Sequence, residues 1–135
     1  MRVVLPLWLL GLIGQSVAHF VLFSPVSLGY DDTRETESPC GSFDATDRST
    51  GVTDWPVEGY PVSILTTHGS VTWEANAALI SEGAITWVPL VLPFAQTGVG
   101  DVCFTQVPGN PAWVGQAAVV QLIQHAPDGL LYQVR

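Results

Sequence analysis

Two strand signals joined by a turn signal occupy residues 117–134. The sequence reads Ala-Ala-Val-Val-Gln-Leu-Ile-Gln over 117–124, turns at Asp128-Gly129, and continues as Leu-Leu-Tyr-Gln-Val over 130–134. The first run is apolar and rich in β-branched residues, which is typical of a buried strand, and Asp-Gly is a hairpin signal. This stretch therefore predicts two strands joined by a tight turn.

Further strand signals recur at short intervals through the rest of the chain. Short apolar or alternating runs predict strands over His19–Phe23, Tyr60–Thr66, Ser70–Trp73, Ile85–Leu92 and Val102–Val107. Turns are predicted at Gly98–Asp101 and Trp113–Gln116, and one short helix is a candidate over Glu74–Ile80. Many short strands separated by Gly, Pro and Asp turns predict an all-β sandwich.

The polar, acidic segment Gly29–Trp55 carries no strand or helix pattern. It is rich in Ser, Thr, Gly and Asp and contains Cys40, so it is predicted to be a long irregular segment. A structureless stretch of this length inside a small domain is more often functional than incidental.

Residues 1–18 resemble a secretory signal. Arg2 is followed by the apolar run Val3–Ile13 and by Ser16-Val17-Ala18, a small-residue cleavage site. The alternative, a membrane anchor, is less suitable because the apolar run is shorter than the ~20 residues of a spanning helix. Cleavage after Ala18 leaves one domain over residues 19–135, which begins with His19 and has no transmembrane segment.

The domain that remains after cleavage is strongly acidic. It holds three arginines and no lysine against 12 acidic residues, a formal charge of −9. This excludes nucleic-acid binding, which needs clustered Lys and Arg, and basic-patch binding to anionic membranes. Eight of the acidic residues lie between Asp31 and Glu58, which provides solubility or, alternatively, a local field that gathers cations.

The two cysteines, Cys40 and Cys103, do not form a CxxC metal motif. In a secreted chain two cysteines suggest a disulfide, and a Cys40–Cys103 bridge is the simplest prediction from the residues.

Three histidines are candidate metal ligands. His19, as the first residue of the mature chain, offers an imidazole and an α-amine with a pKa near ~8, which together form a chelate ring. His68 is predicted to lie in a loop or at a strand end, and His125 in a turn. His19 with a second imidazole gives a three-nitrogen set that suits Cu(II).

Several landmarks in order resemble the fungal X325 family. They are His19-Phe20-Val21-Leu22 with Pro25 and Gly29, Pro39-Cys40-Gly41, Trp55-Pro56, His68, Gly100-Asp101-Val102-Cys103 and Gly129-Leu130-Leu131-Tyr132. That family includes the copper acquisition factor Bim1-like proteins, which are similar to lytic polysaccharide monooxygenases. The resemblance covers nearly all of residues 19–135.

This resemblance implies an immunoglobulin- or fibronectin III-like β-sandwich that binds copper (Cu2+) through a histidine brace of His19 and His68. It also implies a non-catalytic role in copper acquisition or homeostasis, secretion, and a place at the fungal cell surface, where a membrane copper transporter is a candidate partner. Relatives carry a glycolipid anchor signal, which is absent here.

The chain departs from the family pattern after Tyr132. Similar sequences continue with a Cys-Ala-Asp motif whose aspartate completes the copper site, whereas this chain ends at Gln133-Val134-Arg135. We therefore expect a domain truncated at its C-terminus, with the carboxylate ligand beyond Arg135. The missing cysteine also weakens the prediction of a Cys40–Cys103 bridge.

Three other functions are compatible with these residues. A polysaccharide monooxygenase needs the same nitrogens and an exposed aromatic face, for which Trp55 and Trp113 are candidates, whereas Trp73 and Trp87 are predicted to be core residues. A secreted structural or adhesion sandwich would bind no metal. A zinc site is compatible with histidine and carboxylate ligands, although the terminal amine favours copper.

Overall fold

The computed structural model describes residues 19–81, 83–127, 129 and 131–134. The predicted signal peptide, residues 1–18, lies outside the described residues. Eight strands form in the described part of the chain: β1 Phe20–Ser24, β2 Tyr60–Thr66, β3 Ser70–Leu79, β4 Val88–Pro89, β5 Phe94–Thr97, β6 Gly100–Val107, β7 Ala118–His125 and β8 Leu131–Val134. A short 3-10 helix, Pro111–Trp113, lies between β6 and β7.

The strands make two antiparallel sheets. The first has the order β1-β2-β6, and the second has the order β4-β3-β7-β8, with β5 also paired to β3. We call them sheet A and sheet B. The prediction of an all-β sandwich is confirmed.

The core lies between the two sheets because alternate residues of each strand turn inward. Sheet A contributes Phe20, Val62 and Ile64, and sheet B contributes Trp73 and Leu122. Trp73 is fully buried, and its ring packs edge-to-face with those of Phe20 and Phe104 at centroid distances of 4.8 and 5.4 Å. The core prediction for Trp73 is thus confirmed, and the Phe20 contact fixes the start of the domain against sheet B.

The predicted helix over Glu74–Ile80 is wrong. These residues belong to β3, which pairs with β7 from Thr72 opposite His125 to Leu79 opposite Ala118. Alanines at 75 and 77 favour a helix locally, but they are buried in alternation, and pairing with β7 overrides that preference.

The predicted strand over Ile85–Leu92 is largely wrong, because only Val88–Pro89 pairs, as β4 at the edge of sheet B. Proline lacks an N–H for the ladder, which suits an edge strand and limits its length. The hairpin predicted around Asp128-Gly129 is confirmed, since β7 and β8 pair antiparallel from His125 opposite Leu131 to Leu122 opposite Val134.

The irregular segment predicted over Gly29–Trp55 is confirmed and is attached to both sheets. Cys40 and Ala45 are buried against Ala78 and Val119 of sheet B, and Glu35 reaches β1 of sheet A. The segment therefore joins β1 of sheet A to β3 and β7 of sheet B. In the described part of the chain, no helix is long and apolar enough to cross a membrane.

Candidate metal centre

His19 lies directly before β1 and is held to the loop between β2 and β3 by three hydrogen bonds. Its backbone N–H donates to Oγ1 of Thr67 over 2.7 Å, and its carbonyl accepts from the N–H of Thr67 over 3.2 Å and from Oγ1 over 2.7 Å. These bonds extend the β1–β2 ladder, in which Phe20 lies opposite Thr66. The nitrogen that would become the α-amine is thus fixed beside this loop.

His68 is the next residue along the same loop. Its backbone N–H donates to Oγ1 of Thr66 over 3.4 Å, and only 8% of the residue is exposed. The predicted loop position of His68 is confirmed. The antiparallel pairing of β1 with β2 therefore brings two histidines, distant in sequence, to the same end of one strand pair.

The irregular segment packs over the His19 side chain. The Nε2 atom of His19 is hydrogen-bonded to the backbone carbonyl of Asp32 and lies 4.0 Å from Oε2 of Glu35. The other carboxyl oxygen of Glu35 accepts a hydrogen bond of 3.4 Å from the backbone N–H of Phe20. His19 and Glu35 are both buried, at 7% and 2% exposure. The imidazole is consequently oriented by a carbonyl and a carboxyl on its Nε2 side.

The carboxyl of Glu35 is unusual in its electrostatic environment. Burial raises its pKa from 4.5 to about 8, the negative charge of Asp32 adds to the increase, and the hydrogen bond from Phe20 opposes it. Among the described residues, its Oε2 atom accepts no hydrogen bond. A buried oxygen of this kind is stabilised by positive charge placed near it.

The residues at this end of the sandwich fit a copper ion if the terminal amine is one ligand. In the described part of the chain, no three or more His, Cys, Asp and Glu side chains gather into a group that could hold a metal by themselves. A histidine brace needs only two such side chains, because the amine of His19, if exposed by cleavage, would supply the third nitrogen. Nitrogen donors of these kinds suit Cu(II).

Comparison with known proteins agrees with this donor chemistry. The family model of the copper acquisition factor BIM1-like domain matches residues 17–133. The chain belongs to this family. No curated protein and no solved structure matches it significantly. The resemblance stated from the sequence is confirmed, and the family description links the domain to copper.

The third histidine of the BIM1-like domain lies elsewhere. The structure places His125 at the end of β7, not in a turn, and its Nε2 atom pairs with the carboxylate of Glu74 on β3. The preceding residue, Gln124, is fully buried and donates to Oγ1 of Thr66 over 2.9 Å. Since neighbouring residues of a strand point to opposite faces, His125 lies on the outer face of sheet B.

The predicted Cys40–Cys103 disulfide is not present in the BIM1-like domain. Cys40 is buried against Ala78 and Val119 of sheet B, whereas Cys103 is exposed on β6 of sheet A. Cys40 lies in the irregular segment and packs on sheet B, whereas Cys103 belongs to sheet A and faces away from the core. This geometry explains why the simplest pairing of the two cysteines is wrong.

The tryptophans form no flat exposed face at the His19 end within the described residues. Trp55 is half-buried, packs against the core and donates from Nε1 to the carbonyl of Val107 over 3.0 Å. Trp87 and Trp113 are also only partly exposed, and Trp113 ends the short 3-10 helix. The expectation that Trp55 and Trp113 are exposed loop residues is therefore only partly met.

Sequence reasoning missed Asp32 and Glu35 as neighbours of His19. It placed both in the acidic run and assigned neither a contact. No spacing signal marks them, because the path of the irregular segment depends on its packing against both sheets. The only available indication was its length, which exceeds that of most connections in a small domain.

Proposed function

We propose that this BIM1-like domain is an extracellular Cu(II)-binding protein that acquires or buffers copper at the fungal cell surface without catalysing a reaction. The observation that carries the proposal is the shared position of His19 and His68 at one end of the β1–β2 pair, where both are buried. Family membership supports copper as the cargo.

The proposed ligands are the α-amine and imidazole of His19 and the imidazole of His68. The amine and Nδ1 of one histidine close a chelate ring, so a single residue contributes two nitrogens. The hydrogen bond from the His19 nitrogen to Oγ1 of Thr67 would hold the amine beside the residue that precedes His68. This set depends on secretion and on cleavage between Ala18 and His19.

A non-catalytic role is proposed because a copper-handling protein needs only capture and release. The bound ion would pass to a membrane copper transporter, which is the proposed partner. A polysaccharide monooxygenase would use the same three nitrogens, so copper binding by itself does not separate the two activities. Oxygen consumption with a reductant does, because only the enzyme produces peroxide or oxidised sugar ends.

Intact-mass analysis of the secreted protein with and without Cu(II) tests the proposal. We expect a mature chain that begins at His19 and binds one copper ion. His19→Ala and His68→Ala should each abolish one-to-one binding, because each removes at least one of three nitrogen ligands.

His125→Ala is the matched control, since this imidazole lies on the outer face of sheet B and should leave binding unchanged. Circular dichroism of each metal-free variant reports whether the sandwich still folds. Stoichiometric binding that survives both His19→Ala and His68→Ala would contradict the proposal, as would a secreted chain that begins at another residue.

A further inference from the structure

We propose that Glu35, together with the backbone carbonyl of Asp32, is a positioning pair that orients the His19 imidazole for copper. This inference rests on the proposed function and deepens it. It assigns a role to the irregular segment, which comes to the metal-binding residue from outside the β1–β2 pair.

The engaged nitrogen of the His19 ring is Nε2. Nε2 of His19 faces the Asp32 carbonyl, which can only accept a hydrogen bond, so the neutral ring carries its proton on Nε2. That tautomer leaves Nδ1 with its lone pair. Nδ1 is also the ring nitrogen that can close a chelate ring with the amine of the same residue.

Glu35 is held beside the same nitrogen. Its Oε2 atom lies 4.0 Å from Nε2 of His19, and its Oε1 atom is held by the N–H of Phe20 at 3.4 Å. The carboxyl therefore bridges the backbone of β1 and the outer side of the histidine ring. At 2% exposure it has little room to turn elsewhere.

A hydrogen bond at one ring nitrogen of a histidine affects how the other nitrogen binds a metal. A histidine that ligates a metal usually donates its other N–H to a carbonyl or carboxylate, and this partner fixes the ring and makes it a stronger ligand. Loss of such a partner typically costs roughly 10- to 100-fold in metal affinity. The Asp32 carbonyl occupies the position that this arrangement requires, and the Glu35 carboxyl lies 4.0 Å from the same nitrogen, where its charge acts on the same N–H.

The test compares Glu35→Gln with Glu37→Gln in the mature protein. Glu37 lies in the same segment, but it is exposed and paired with Arg34 over 2.7 Å, so Glu37→Gln controls for the replacement of a nearby carboxyl by an amide. Cu(II) affinity is measured by competition with a chromophoric chelator, and the ligand set by electron paramagnetic resonance.

We expect Glu35→Gln to weaken Cu(II) binding by roughly 10- to 100-fold and to shift the copper hyperfine splitting, with one copper per chain and three nitrogens retained. Glu37→Gln should stay within about twofold of the unmodified protein. An affinity of Glu35→Gln within that same range overturns the inference. So does the loss of a nitrogen ligand in Glu35→Gln, because Glu35 would then maintain the fold of the site and not the orientation of one ring.

A second measurement needs neither copper nor a variant. Nitrogen-15 chemical shifts of the metal-free protein, at a pH where the ring is neutral, should show the His19 proton on Nε2. A proton on Nδ1 overturns the inference even if Glu35→Gln does not fold. Failure of the unmodified protein to bind copper refutes the proposed function instead, and the tautomer measurement still decides the role of the positioning pair.

Discussion

Glu35 is a buried carboxyl whose pKa is strongly raised. Its carboxyl is buried beside His19, with Asp32 and Tyr30 as its other titratable neighbours, and its pKa is raised to about 8. The pKa of Tyr30 is raised as well, first by burial and then by the charge of Glu35. Burial of a carboxyl thus links the stability of the irregular segment to pH.

The metal-free protein should lose stability as pH rises from about 4.5 to about 8. In this range the folded state keeps the Glu35 proton while the unfolded state has released it, so the free energy of unfolding falls with pH. One such group contributes at most about 1.4 kcal/mol per pH unit. Urea denaturation in the presence of a chelator, at pH 5 and pH 8, measures the difference.

Glu35→Gln supplies the comparison, because the amide has the same size and does not titrate. Its free energy of unfolding should depend less on pH than that of the unmodified protein, whereas Glu37→Gln should keep the full dependence. Equal pH dependence in Glu35→Gln and the unmodified protein would show that the buried carboxyl does not control stability in this range.

Among the secondary-structure elements, the strands with clear alternation or β-branched runs were predictable. The segments Tyr60–Thr66 and Ala118–His125 form strands within one residue of the prediction. Residues 75–78 were misassigned because alanine favours helices and the strand partner is far away in sequence. Local pattern identifies strands here, but long-range pairing decides the ambiguous ones.

The candidate site was predictable to a smaller extent. Residue chemistry pointed to His19 and His68, and strand pairing places them at one end of sheet A. The contacts of Asp32 and Glu35 with His19 depend on how an irregular segment packs, for which sequence offers no periodic signal. The same is true of Gln121, whose polar side chain within an apolar strand attaches this segment to sheet B.

Gln121 should be essential for holding the irregular segment in place. Its Nε2 atom donates to the carbonyl of Pro39, and its Oε1 atom accepts a hydrogen bond of 3.2 Å from Asn76. Gln121 is 3% exposed, so Gln121→Ala leaves the Pro39 carbonyl and the Asn76 amide without this partner. The variant should therefore lower the free energy of unfolding by about 1–3 kcal/mol. Hydrogen exchange should rise selectively around residues 35–41.

The matched control is Gln116→Ala. Gln116 is exposed after the short 3-10 helix, so its replacement should change stability by no more than about 0.5 kcal/mol. If the amide hydrogens of residues 35–41 exchange at the same rates in Gln121→Ala as in the unmodified protein, the other contacts of the segment are enough to hold it in place.

The distribution of charge over the molecule bears on how a copper ion reaches the proposed site. Most of the acidic run Asp31–Glu58 lies in the irregular segment, which contacts His19 through Asp32 and Glu35. Asp32 is exposed there. Of the few basic residues, Arg34 pairs with Glu37, so it neutralises only one acidic group of the run. A net negative field at the entrance to the proposed site would attract a divalent cation.

Copper association should therefore become slower as salt is added. The screening length falls from ~30 Å at 0.01 M to ~8 Å at 0.15 M ionic strength, so exposed charges lose most of their long-range effect over this interval. We expect the association rate constant, measured by stopped-flow quenching of tryptophan fluorescence, to fall several-fold across it. The dissociation rate constant should change less, because steering acts on the encounter and not on the bound state.

The double variant Asp31→Asn with Asp32→Asn locates the source of the field. An asparagine at position 31 keeps an oxygen that can accept the hydrogen bonds of Thr33, so the local turn should survive while the charge is lost. This variant should bind copper more slowly and with less salt dependence. Glu74→Gln is the control, because it also removes one negative charge, but from the outer face of sheet B. It should change neither the association rate constant nor its dependence on salt. A field that steers a cation must weaken when salt screens it. If the association rate constant of the unmodified protein does not change with ionic strength, the acidic run contributes to solubility and not to copper capture.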